Sequence, residues 1–348
     1  MTYKNVVIVT DAWSPQVNGV IVSLKRMREH LEDEGSSVKI VEPSLFFTVP
    51  LFFFYPEIRL AIFSAIKLKK LLFKDNPDCI HIATEGPLGL VARTICIRNK
   101  IKFTSSYHTN FQQYIQIRVG AWAGKIVQRY LRWFHNASNT TMVCTPTMKA
   151  TLEERGFKHV SLWPLGVDTG LFVRNENEET NLHKMPKPIF VYFGRIAKEK
   201  STEEFLLCDL PGTKLVVGDG PDRLKLEEKY PNVVFLGYKH GKALVDTLSV
   251  CDVFVFPSRT DTFGLVIVEA LSCGIPVAAH DTLGPKDIIT SGIDGYLAED
   301  LSYAARECLK LSRGSCRQKA LKFSWEKSFH AFKNNLTNTD YTRARSIL

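Results

Sequence analysis

Asp261 and Glu269 stand eight positions apart in "PSRTDTFGLVIVEALSCG" (257–274), the first in a polar turn and the second inside an apolar run. Val253 to Phe256 predicts a strand, and Gly264 to Ser272 predicts a helix stopped by Gly274 and Pro276. Asp261 is therefore expected just before a helix N-terminus, and Glu269 one to two turns inside the helix. An ionised carboxylate only accepts hydrogen bonds, which matches it to vicinal hydroxyl groups. Arg195 and Lys200, in a loop after an apolar run, together with the amides that open the helix, suit an anion such as a phosphate. Taken singly, these residues also fit a helix-terminal acid, a helix charge and two surface cations. Paired carboxylates serve glycosidases as well. A hydrolase of neutral sugars, however, needs neither a phosphate-binding helix start nor the Arg/Lys pair.

Elements that position these residues are expected to alternate between strand and helix in both halves of the chain. "NVVIVTDAW", "SVKIVEP" and "DCIHIAT" predict strands, separated by the helices "GVIVSLKRMREHLEDEG", closed by Gly35, and "IRLAIFSAIKLKKLLFKDNP". "PIFVYFGR", "TKLVVGDG", "NVVFLG", "DVFVFPS" and "IPVAAHD" predict buried strands in the second half, with helices at "GPDRLKLEEKY" and "HGKALVDTLSV". The Pro-, Gly- and charge-rich stretch 163–188 reads as a linker. The predicted fold class is α/β, with two doubly wound domains facing a cleft and ligands at the carboxyl ends of the strands.

Composition narrows the function. The chain has 348 residues, 45% hydrophobic and 23% charged, enough for two cores. Eight cysteines occur without a CxxC pair, which suggests neither a zinc site nor a disulfide framework and fits a reducing cytoplasm. The apolar run Val6 to Val9 meets Asp11 at once and reads as a strand, not a signal-peptide core. The longest apolar run, Leu45 to Tyr55, contains Pro50 and is far short of the roughly 20 residues of a membrane span. Residues 1–170 carry 21 Lys+Arg against 13 Asp+Glu, a balance of +8, while the remainder of the +9 total is only +1. A basic first half calls for an acidic partner. No zinc-finger, RNP-like or basic-zipper pattern favours nucleic acid, which leaves an anionic membrane surface. No DxD triplet or metal-binding cluster is evident, so no metal or other cofactor is expected.

"SRTDTFGLVIVEALSCGIPV" resembles the signature of the retaining, nucleotide-sugar-dependent glycosyltransferases of family 4 (glycosyltransferase group 1). The resemblance continues in family order through "TDAWSPQVNGV", "SYHTNF", "PLGVDTGLF", "GRIAKEKS" and "VVGDGP". Most members carry Glu where this chain has Asp261, and related lipid glycosyltransferases carry the Asp form. The resemblance implies the GT-B fold, with an acceptor- and membrane-binding domain at 1–168, a donor domain at 169–325, and a C-terminal helix, 326–348, returning to the first domain. It implies that Asp261 meets hydroxyls of the transferred sugar and Glu269 those of the ribose, with Arg195, Lys200 and the Gly264 and Leu265 amides on the diphosphate. Gly194 and Phe263 belong to the same donor-binding set. Gly218 is expected to line the base pocket, although Gly-Asp-Gly-Pro also makes a tight turn without a ligand. Gly19 is expected to let backbone approach the diphosphate. His108 would reach the sugar in the transition state; read alone, it also fits a core histidine.

The acceptor is read from "SLFFTVPLFFFYPEIRLAIFSAIKLKKLLFK", which joins an aromatic loop (Phe46, Phe47, Phe52, Phe53, Phe54) to a helix carrying Lys67, Lys69, Lys70 and Lys74. Rings with cations suit shallow insertion into an anionic interface. The alternative is a helix packing Leu60, Phe63, Ile66 and Leu71 on the sheet under a solvated lysine face. "PEIRLA" and "SRTDTFG" resemble bacterial enzymes that glycosylate diacylglycerol or phosphatidylinositol. The expected function is transfer of glucose or glucuronic acid from a UDP-sugar to a membrane lipid, with diacylglycerol foremost, by a cytoplasmic protein peripheral on the inner face of the membrane. GDP-mannose with a phosphoinositide or polysaccharide precursor stays open. A non-catalytic nucleotide-sugar sensor is disfavoured by intact His108, Arg195 and Lys200.

Overall fold

The computed structural model describes residues 3–14, 18–51, 55–62, 65–175 and 181–340. The chain divides into two units, Met1–Pro164 with Glu326–Leu348, and Leu165–Trp325.

The first unit runs β1 (Asn5–Val9), α1 (Gly19–Asp33), β2 (Ser37–Val41), β3 (Phe47–Leu51), β4 (Tyr55–Ile62), α2 (Ala65–Phe73), β5 (Cys79–Ile82), α3 (Pro87–Arg98), β6 (Thr104–Ser106), α4 (Phe111–Val119), α5 (Ala121–His135), β7 (Thr140–Val143), α6 (Pro146–Glu154) and β8 (Val160–Leu162). Six strands form a parallel sheet in the order β2-β1-β5-β6-β7-β8. The chain leaves β1 toward β2 and later returns to its other side at β5, so the order reverses between β1 and β5. Asn18 accepts from the Ile21 amide at 3.1 Å to start α1, whose buried stripe is Ile21, Leu24, Met27 and Leu31.

Residues 47–62 depart from expectation. β4 extends to Ile62 and pairs antiparallel with β3, where a helix from Ile58 was predicted. The alternation in Glu57-Ile58-Arg59-Leu60-Ala61-Ile62 is a strand period, and α2 begins only at Ala65. The α2 face that packs inward is Leu68 and Leu72, not Ile66, which is 80% exposed; Leu71 is half-buried against the same core. Of the aromatic loop, Phe46 packs partly against the core with Lys67 Nζ 5.4 Å from its ring centroid, and Phe47 is 74% exposed. Phe52, Phe53, Phe54 and Phe63 lie outside the described residues.

The second unit runs β9 (Ile189–Phe193), α7 (Thr202–Leu207), β10 (Thr213–Val217), α8 (Arg223–Lys229), β11 (Val234–Phe235), α9 (Gly241–Ser249), β12 (Val253–Phe256), α10 (Leu265–Ser272), β13 (Val277–Ala279), α11 (Pro285–Ile288), β14 (Gly295–Leu297), α12 (Leu301–Cys308) and α13 (Arg313–Ala320). Its parallel sheet has the order β11-β10-β9-β12-β13-β14, reversing between β9 and β12. β9, β12 and β13 are buried along their whole length, as expected of parallel strands covered on both faces.

Residues 165–175, expected to be linker, are built into this unit. Leu165, Val167 and Phe172 are buried, and Arg317 donates to the carbonyls of Thr169, Phe172 and Ser272 at 2.8 Å each. One guanidinium thus satisfies three main-chain acceptors that a free linker would leave to water.

After α13, α14 (Trp325–Asn335) packs in the first unit. Ser328 Oγ lies 3.1 Å from Trp163 Nε1, and the Phe332 ring lies 4.7 Å from Trp163 and 5.1 Å from His81. All eight cysteines are buried free thiols. Among the described residues no helix is long and apolar enough to cross a membrane, and no group of three His, Cys, Asp or Glu side chains is arranged to hold a metal ion.

Candidate active site

Arg195, Lys200 and Asp261 gather at the carboxyl ends of β9 and β12, where the order of the second sheet reverses. After β9 the chain turns at Gly194 (φ +139), and the Arg195 carbonyl accepts from Tyr192 Oη at 2.6 Å. A single helical turn, Lys198–Lys200, follows. The Glu199 carbonyl accepts from Thr260 Oγ1 at 3.1 Å and Ser258 Oγ at 3.4 Å, which ties this turn to the loop after β12. The tie brings Lys200 Nζ within 2.5 Å of Asp261 Oδ1. Both side chains are mostly buried, so the pair is shielded from the screening that weakens surface pairs. Asp261 Oδ2 is enclosed and has no hydrogen-bond partner among the described residues. A buried acceptor of this kind costs free energy until a donor meets it.

The glycines of the donor set have separate reasons. A Cβ on Gly218 (φ +143) would lie 1.9 Å from the Gly194 carbonyl oxygen, and one on Gly220 (φ +155) would lie 2.2 Å from that of Ile196. The loops after β9 and β10 therefore lie directly on one another, main chain to main chain, and the Ile196 amide donates to the Asp219 carbonyl at 2.9 Å. Gly264, at φ +88, is the residue before α10 and provides no capping side chain, which leaves the helix-opening amides of Leu265 and its neighbours to other acceptors. Phe263 is buried edge-on to Phe323, so what it offers a ligand is main chain. Gly19 is the first residue of α1 in the first unit, and residues 15–17 before it lie outside the described set.

Glu269 sits one turn into α10, and burial pushes its carboxyl up to about 7. A folded value above that of free Glu means that the native state holds the proton more tightly. The unliganded stability of this unit accordingly falls as pH rises from about 4.5 through about 7. Hydroxyl donors would favour the ionised form, so nucleotide binding below pH 7 should release a proton and tighten as pH rises through 7. Calorimetry in buffers of different ionisation enthalpy checks this: the heats should depend on buffer at pH 6.5 and cease to do so in Glu269→Gln. Buffer-independent heats in the unmutated protein would remove Glu269 from the nucleotide site.

His108 lies in the first unit, just past β6. Its Nε2 is 2.9 Å from Ser106 Oγ, which in turn lies 3.1 Å from His81 Nε2; His81 Nδ1 is 2.9 Å from Thr104 Oγ1. The Trp163 ring stands edge-on to His108 at 5.1 Å. Burial lowers His108 to about 4 and His81 to about 3, so both imidazoles are neutral at neutral pH. Ser106, His81 and Trp163 were not singled out from sequence; the polar run "TSS" leading into Tyr107 and His108 at a strand end was the available signal. Asp11, read only as an interruption, accepts from the amides of Leu88 and Gly89 and from Thr84 Oγ1, and so caps α3. A Cβ on Gly86 would fall 2.5 Å from the Asp11 carboxyl carbon, so that capping geometry needs the glycine.

Comparison with known proteins agrees with this architecture. The profile of glycosyl transferases group 1 matches residues 173–307, and that of glycosyltransferase family 4 matches residues 17–171. A GDP-mannose-dependent alpha-mannosyltransferase of Mycobacterium tuberculosis (strain CDC 1551 / Oshkosh) is 28% identical over 313 residues, 84% of this chain and 83% of that protein. An alpha-monoglucosyldiacylglycerol synthase of Streptococcus pneumoniae is 27% identical over 339 residues, 86% of this chain and 77% of that protein. Anabaena HepE, solved in complex with UDP and glucose, superposes with a TM-score of 0.70 at 14% identity, covering 95% of this chain and 98% of its own.

Proposed function

Because the chain belongs to the glycosyltransferases of group 1 and family 4, whose two profiles together match more than half of it, we propose that it moves a hexose or hexuronic acid from a nucleoside diphosphate to a membrane lipid, with retention at the anomeric carbon. The observation that carries this reading is the shielded Lys200–Asp261 pair at the reversal of the second sheet, with Asp261 Oδ2 unsatisfied. A sugar hydroxyl supplies the missing donor, while Arg195, Lys200 and the opening amides of α10 face the diphosphate. The bond from the anomeric carbon to the diphosphate oxygen breaks, and a bond to the acceptor hydroxyl oxygen forms on the same face. The hydroxyl proton passes to the departing diphosphate. This front-side course needs no carboxylate nucleophile. His108 of the first unit is neutral at neutral pH, so whatever part it takes is that of a hydrogen-bonding group, not of an acid.

Diacylglycerol is the proposed acceptor and a UDP-sugar, UDP-glucose or UDP-glucuronic acid, the proposed donor, in keeping with the name of the S. pneumoniae relative. GDP-mannose is the second reading, and the name of the M. tuberculosis relative favours it. The protein is proposed to work in the cytoplasm, peripheral on the inner face of the membrane, through its basic first half. Fixed cations and helix amides supply the charge that a divalent ion supplies in other enzymes. Turnover on the best of the three donors should accordingly persist undiminished in excess chelator. Activity lost in EDTA and restored by magnesium would contradict that part of the reading.

A further inference from the structure

The outer face of α5 is the strongest unassigned feature of the first unit. One side of this helix buries Leu131 and Phe134. On another, Trp122, Ile126, Arg129 and Trp133 stand at i, i+4, i+7 and i+11, on one stripe. Trp122, Ile126 and Trp133 are 65%, 59% and 52% exposed, where a solvated helix face would be polar. Lys125 and Arg132 flank the stripe. Arg93, reaching from α3, stacks its guanidinium 3.6 Å from the Trp133 ring centroid and donates to the carbonyls of Trp133 and Phe134 at 2.9 Å, which fixes the ring's pose. Arg93, Arg129, Arg132, Trp133 and Asn136 line a cavity of about 450 Å³. None of Arg93, Lys125, Arg129 and Arg132 is ion-paired with a carboxylate among the described residues. The sequence explains why: no Asp or Glu occurs between Glu85 and Glu153, an interval with nine Lys and Arg.

We propose that this face of α5 is where the protein docks on an anionic bilayer, with Trp122, Ile126 and Trp133 at the level of the headgroups and the arginine-lined cavity taking a lipid phosphate. The inference rests on the lipid-acceptor reading and names the surface that serves it, which differs from the Phe46–Phe54 loop. Amphipathic rings interleaved with cations and free of acids are the composition of an interfacial helix. A second copy of the chain is a poor occupant, because a two-fold contact would set one helix stripe with cations and no Asp or Glu of its own against another.

Flotation of the full chain with vesicles tests the assignment without donor or acceptor turnover. Binding to equimolar phosphatidylglycerol and phosphatidylcholine vesicles should be strong at low salt and weak with phosphatidylcholine alone. Arg129→Glu with Arg132→Glu, and separately Trp122→Ser with Ile126→Ser, should each lower partitioning about tenfold or more. Arg129→Lys with Arg132→Lys should retain most of it, and nucleotide affinity should not change in any of the three. Absent binding by the unmutated protein, or equal binding by the Glu and Ser variants, overturns the proposal. So does a loss of binding that tracks a dimer-to-monomer change in sedimentation equilibrium. If vesicles bind as expected but no lipid is ever glycosylated, the function reading fails and the docking surface stands. If lipid product forms in detergent while vesicle binding is absent, only the docking surface falls.

Discussion

Replacing Arg195 or Lys200 with Ala should lower kcat by about two orders of magnitude or more, the scale of a lost transition-state electrostatic contact. As the sugar leaves, negative charge grows on the diphosphate, and only groups already fixed in place stabilise it without reorganisation. The structure separates the two variants. The loop at Arg195 is held through its main-chain carbonyl by the Tyr192 hydroxyl, so Arg195→Ala should lower the melting temperature less than Lys200→Ala. Lys200 is the ion-pair partner of Asp261 among the described residues, and removing it strands a mostly buried carboxylate. Lys200→Ala should therefore lose both turnover and thermal stability, and Lys200→Ala with Asp261→Asn should recover stability without recovering turnover. Steady-state kinetics on the best donor, beside thermal unfolding, check this. Turnover within about threefold of the unmutated rate in either single variant would remove that cation from the leaving-group site.

Gly218→Ala should destabilise the second unit by more than about 3 kcal/mol, because it combines a backbone conformation that L side chains rarely adopt with a clash against main chain. The new methyl would lie 1.9 Å from the Gly194 carbonyl oxygen at φ +143, so the loops after β9 and β10 must separate. Gly292 provides the control: its φ is +82, but nothing lies within 4 Å of its notional Cβ. Gly292→Ala should pay only the backbone term, about 1–2 kcal/mol. Urea unfolding of the two variants measures the difference. Equal losses would show that the two loops are free to part, and the close main-chain contact would then not be what Gly218 is for.

Strands β1, β2 and β5 of the first sheet and β9 to β13 of the second were legible in the sequence as short, largely apolar runs set off by turn residues, as at β9 and β12, whereas β7, β8 and β14, short and mixed in polarity or glycine-led, were not read. The hairpin β3–β4 was not, because an apolar stretch that changes from a period of two to a helical period within a few residues invites one helix across both. Pattern alone also misjudged α2, whose inward side depends on where the helix begins. The site was legible as residue types: Asp261, Lys200 and Arg195 were read at the ends of their elements. Their pairing was not, since Lys200 and Asp261 are 61 positions apart and meet only because β9 and β12 are neighbours at the reversal of the sheet. Strand order is a tertiary property that one sequence does not spell out. Equally hidden were the His81–Ser106–His108 chain and the Asp11 cap on α3, which depend on polar side chains from different strands converging at one end of a sheet.

The central claim is that this chain moves a sugar from a nucleoside diphosphate to a membrane lipid. Its most direct test incubates the purified protein with diacylglycerol in mixed micelles and, in turn, with radiolabelled UDP-glucose, UDP-glucuronic acid and GDP-mannose, then extracts the lipid phase and reads the anomeric configuration by NMR. The account predicts label in an organic-soluble glycolipid from one of these donors, with the axial anomeric configuration of the donor kept and Asp261→Asn inactive. Label released only as free sugar, label attached only to a water-soluble acceptor when both kinds are offered, or an inverted product would contradict it.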